Sequence, residues 1–73
     1  MIATEALTLI KNKMNQYMDL VSKDPYNDNN VKCLQTLISE FTRMNIKLMP
    51  YITVDETQIP EELEEKVSYL LSL

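Results

Sequence analysis

The 73-residue chain contains no glycine, no histidine and no tryptophan, and only one cysteine. Without glycine it cannot build a phosphate-cradling loop, whose backbone must approach an anion closely or turn through positive φ where a Cβ clashes. Without histidine it lacks the commonest general base at neutral pH and the commonest zinc ligand, and one thiol replaces neither. Cys33 has no partner for an intramolecular disulfide, so covalent stapling is excluded and a reducing, cytoplasmic setting is expected. Apolar runs are only a few residues long, and the opening residues Met1 to Lys13 lack a cationic start followed by a solid apolar stretch, so neither a membrane span nor a signal peptide is predicted.

What is present describes a small folding unit. Hydrophobic residues make up 45% of the chain and charged residues 25%, a balance too apolar for a wholly disordered polypeptide. The net charge of −4 is unevenly placed: residues 1–54 carry six Lys/Arg against five Asp/Glu, while residues 55–73 carry one Lys against six acids. The resulting field repels nucleic-acid phosphate and anionic lipid, so direct nucleic-acid binding is not expected.

Two breaks divide the chain into three helical segments, read as a single helical domain over 1–73. The first break is Lys23-Asp24-Pro25-Tyr26-Asn27-Asp28-Asn29-Asn30, where Pro25 disfavours helical geometry at Asp24 and the Asx residues offer caps and turns. The second runs from Pro50 through Thr53, Val54, Asp55, Glu56, Thr57 and Gln58 to Pro60. Both use proline and Asx residues in place of glycine, which predicts stiff connections.

The first segment, about 3–23, repeats Ala3, Leu7, Ile10, Met14, Tyr17 and Val21 at spacings of four and three, with Lys13 intruding and Thr4 preceding Glu5 as the expected N-cap. The second, about 29–49, carries Val31, Leu34, Leu37, Ile38, Phe41, Met44 and Leu48, with Asp28, Asn29 or Asn30 as the cap and an outer ladder of Thr36, Glu40, Arg43 and Lys47. Pro50 should end it. The third, about 60–72, opens with Ile59-Pro60-Glu61-Glu62-Leu63, with Pro60 at the first helical position and Ile59 stapling onto Leu63. Its stripe is Leu63, Val67, Leu70 and Leu71, and at this length it must dock to persist. The prediction is an all-α, small three-helix bundle: a long helical hairpin plus a short third helix, paired as a dimer.

Candidate chemistry is sparse. The Asp/Asn cluster at 24–30 fails as a calcium loop because Tyr26 or Lys32 falls at a ligand position and the central glycine is missing. Cys33 lies beside the apolar stripe without a base to activate it, and is read as packing. No metal, cofactor or catalytic group is expected. Glu61, Glu62, Glu64 and Glu65 suit a first helical turn and solubility or, together with Asp55 and Glu56, an acidic face that imitates nucleic-acid phosphate. Asn45 interrupts the second stripe as an edge residue or as a polar position fixing the register of paired helices.

The stronger signal is a surplus of apolar residues outside the central stripes: Leu9, Leu20, Ile46, Met49, Tyr51, Ile52 and Leu73. Leu9, Leu20, Ile46 and Met49 are expected at a homodimer interface, and Tyr26, Tyr51, Tyr69 and Leu73 at a surface for another protein, because aromatics and long aliphatics offer area at low entropic cost. The expected function is a non-enzymatic protein–protein interaction module, an adaptor or regulator acting through a helical surface. A second reading is an acidic inhibitor of the phage or mobile-element type, using Glu61, Glu62, Glu64 and Glu65 to mask a nucleic-acid site on a partner. A third is a helix-turn-helix regulator reading DNA through Lys32, Arg43 and Lys47, which lie dispersed along one long helix.

Overall fold

The structure is a computed structural model that describes residues 1–52 and 58–73. Three helices follow one another: α1 (Ala3–Lys23), α2 (Asp28–Leu48), a 3-10 turn (Met49–Tyr51) and α3 (Glu61–Leu71). The described residues contain no β-strand, and the chain is an all-α three-helix bundle. The expected Asp55 and Glu56 part of the acidic face, with Thr53, Val54 and Thr57, lies outside the described residues.

The break after α1 reverses the chain through Asp24–Asn27, closed by Asn27 N–H donating to the Asp24 carbonyl at 3.3 Å. α2 is capped one residue earlier than expected. Asn27 accepts from the Asn30 N–H at 3.1 Å through its side chain, which displaces Asp28 into the first turn where its charge meets the helix dipole. Replacing Asn27 with Ala should cost about 1 kcal/mol of stability, read as a lower midpoint in urea with an unchanged slope.

The start of α1 corrects a second expectation: the cap position is Ile2, and Thr4 lies inside the first turn. The reason is tertiary. The Ile59 N–H donates to the Met1 carbonyl at 3.0 Å, Ile2 forms an isolated antiparallel bridge with Gln58, and the Met1 ammonium donates to Gln58 Oε1. This strap orders the residues before Ala3, so helix entry is set by a long-range contact rather than by a side-chain cap. Pro60 likewise sits at the cap of α3 and not at its first helical position; its carbonyl accepts from Leu63 and Glu64 at 3.0 Å. At the other end of α2, Pro50 falls within the 3-10 turn that terminates the helix.

The buried core consists of Ala3, Ala6 and Ile10 from α1, Leu37, Met44 and Leu48 from α2, and Ile59, Val67 and Leu70 from the third segment. Leu7, Met14, Tyr17, Phe41, Leu63 and Leu71 pack around it half-buried. No residue between Lys11 and Thr36 is buried, and the arithmetic of helix length explains why. α1 and α2 have 21 residues each and rise about 31 Å, whereas α3 has 11 and rises about 16 Å. α3 therefore covers the end of the hairpin that holds Ala3 and Leu48, and the turn end is two helices thick. The 43 × 19 × 16 Å dimensions reflect this uneven length.

Candidate functional site

The position of α3 divides the hairpin into two faces. α3 packs chiefly on α1 and reaches α2 through Lys66, whose Nζ lies 3.5 Å from Glu40 Oε1. Glu40 also accepts from Arg43 Nη1 at 3.1 Å, as the expected ladder requires. These partly exposed pairs contribute under about 1 kcal/mol each, but they mark which side of α2 faces α3. The Ile2–Gln58 bridge does the same for α1.

On the front face, beyond the C-terminal end of α3, Tyr17 and Cys33 meet across the hairpin. Burial pushes the Tyr17 phenol above its ordinary pKa, and the Cys33 thiol pushes it the same way. Lys13, the charged intruder of the α1 stripe, places its Nζ 5.7 Å from the Tyr17 ring centroid, so its charge is held over an aromatic face while its stem packs. Leu20 stands exposed near this group, and Cys33 is half-buried beside Tyr17, as a packing cysteine should be.

On the back face, Ile38 corrects the expected core stripe. It is 49% exposed because it falls about 160° round α2 from Glu40, and α3 lies on the Glu40 side. Met49 and Val31 fall on the same side, with Asn45 half-buried between core and surface. The Asn45 amide donates back to the Phe41 carbonyl at 3.0 Å and the Thr42 hydroxyl to the Ile38 carbonyl at 3.2 Å. From α1, Leu7, Met14 and Met18 fall on this face, opposite Ile2 and Gln58.

The sequence-predicted residues are thus spread over several surfaces. Of the four proposed for a dimer, Leu9 and Leu20 belong to the α3 side of α1, Met49 to the back face with Ile38, and Ile46 to the outer side of α2. Leu9 is half-buried, while the other three are exposed. Of the four apolar residues proposed for a partner, Tyr26 stands alone at the hairpin tip, 92% exposed, and Tyr69 is exposed on α3 with Lys66 Nζ 5.4 Å from its ring centroid. Tyr51 and Leu73 pack half-buried against the core instead. Glu61, Glu62, Glu64 and Glu65 are all exposed on α3, whose lone base, Lys66, turns to Glu40. Of the back-face residues, sequence reading offers Met49 as an interface residue but assigns Ile38 and Met14 to the core, whose heptad spacing they share.

Among the described residues no cluster of three or more His, Cys, Asp or Glu is arranged to hold a metal ion, and no helix is long and apolar enough to cross a membrane. No protein-family model matches the chain, and neither curated proteins nor solved structures give a match.

Proposed function

We propose that this protein is a non-enzymatic interaction module, a small adaptor or regulator that binds another protein through its helical surface. The observation that supports it is the apolar and aromatic area left exposed after the bundle has formed its core: Leu20 and Tyr69, with Tyr26 at the hairpin tip. Such residues gain most from being covered by a partner, since they bury large area and lose few rotamers. A second reading, an inhibitor that occupies a basic nucleic-acid-binding site, is favoured by one specific feature. With Lys66 engaged by Glu40, Glu61, Glu62, Glu64 and Glu65 form an outward acidic surface little offset by a neighbouring base.

One affinity purification with three baits separates the two. For an adaptor, proteins retained by the wild-type chain are lost with Leu20→Lys/Tyr69→Ala and kept when all four glutamates become lysine. For an inhibitor the pattern reverses, and capture also weakens steeply with added salt. Partners captured equally by all three baits would reject both surfaces.

A further inference from the structure

We propose that a second copy of this chain covers the back face of the hairpin, the side away from α3, so that two hairpins form a four-helix layer with α3 on each outer side. The inference goes beyond the reading above, which concerns the front face, the tip and α3, and stands whether or not another protein binds there.

Size is the first argument. Two antiparallel helices about 31 Å long, spaced about 10 Å apart, present a face of roughly 600 Å² per copy, or roughly 1,200 Å² for the pair. That lies at the lower edge of specific, stable interfaces, which bury about 1,200–2,000 Å² in total. The turn-end front face, half as long, falls well short of it.

Composition and satisfaction of polar groups are the second. The face carries Leu7, Met14 and Met18 from α1 and Val31, Ile38 and Met49 from α2, with Ile38 half-exposed near its centre and Met18 50% exposed. Two of its polar side chains already place a donor within their own helix: Thr42 donates to the Ile38 carbonyl, and Asn45 donates to the Phe41 carbonyl. A partner can cover these two donors without orphaning them, which lowers the desolvation cost of burying the face.

Charge is the third. Among the described residues, the charged side chains nearest the face are Lys11 and Asp28, opposite in sign, so this part of the surface is close to neutral. The four glutamates of α3 lie on the far side of each copy. Stacking the hairpins back to back keeps the two acidic helices about 30 Å apart, well beyond the Debye length of about 8 Å at physiological salt. Any pairing through α3 would instead bring like charges together. Repulsion thus opposes pairing through α3, and the back face admits a second copy of a net-acidic chain.

The test is sedimentation equilibrium of the wild-type chain from low micromolar to sub-millimolar concentration, alongside Ile38→Lys, Met18→Lys and Leu20→Lys. The wild-type chain is expected to be a dimer. Ile38→Lys should raise the dissociation constant at least about tenfold while helical circular dichroism and the thermal midpoint of the monomer are kept, since the side chain is already half in water. Met18→Lys gives the same readout at a more exposed site should Ile38→Lys fold poorly, and Leu20→Lys, on the other face, should leave the dimer intact. A wild-type monomer throughout this range overturns the proposal. So does a dimer that survives both back-face changes, or one dissociated by Leu20→Lys alone.

Discussion

Leu37→Ala should leave this protein largely unfolded at room temperature. Leu37 is fully buried where α2 passes both α1 and the end of α3, and it is the buried residue of α2 nearest the uncovered part of the hairpin. Truncation of a buried leucine removes transfer free energy and leaves a cavity, together about 2–5 kcal/mol. A bundle of this size, with no intramolecular disulfide to supplement its core, has total stability of about the same magnitude. The α-helices offer little compensation, because a lone helix of this length is marginal in water. The checking measurement is urea unfolding followed by circular dichroism at 222 nm, compared with Ile38→Ala. That change removes a similar volume from a half-exposed site and should cost under about 1 kcal/mol in the monomer. Equal losses at the two positions would mean that the core does not lie where Leu37, Met44 and Leu48 place it.

The contrast between Leu37 and Ile38 shows how much of the fold could be read from the chain. Periodicity places both in the apolar stripe of α2, and it identifies three helices because spacing of three and four is a property of local backbone geometry. It cannot say which side of that stripe a third helix will cover. That depends on where α3 docks, a choice made by the Met1–Ile59 hydrogen bond, the Ile2–Gln58 bridge and the Lys66–Glu40 pair, all between residues distant in sequence. The cap of α1 was misread for the same reason: Thr4 has the right chemistry, but Ile2 is fixed in extended geometry by its bridge to Gln58. The Asn27 cap was missed by one position within a run of four Asn/Asp residues, where local preference hardly distinguishes neighbours. Candidate surfaces were legible as residue types and not as patches. Tyr51 and Leu73 have the composition of contact residues, yet the 3-10 turn and the end of α3 fold them back onto the core.

Removing residues 58–73 should abolish cooperative unfolding rather than merely weaken it. The deletion takes Ile59, Val67 and Leu70 from the core and uncovers Ala3, Ala6 and Ile10, which contribute two alanines and one isoleucine and cannot seal a hairpin by themselves. Two helices of 21 residues then retain one apolar seam against each other, with the strap that orders Met1 and Ile2 gone. A chain of about 60 residues buries only about 60% of the surface its unfolded form exposes, a margin that a single two-helix seam does not supply against conformational entropy. The expected product keeps part of its helical signal but binds a hydrophobic dye and melts over a broad range, the signature of compaction without fixed packing. Calorimetry of the truncated chain checks this: no resolved unfolding peak is expected, against a single peak for the full chain. If a sharp transition persists, the hairpin is an autonomous unit and α3 an appendage. In that case its four glutamates and Tyr69 would be carried on an arm free to leave the bundle, and Ala3, Ala6 and Ile10 would become a second docking surface in its place.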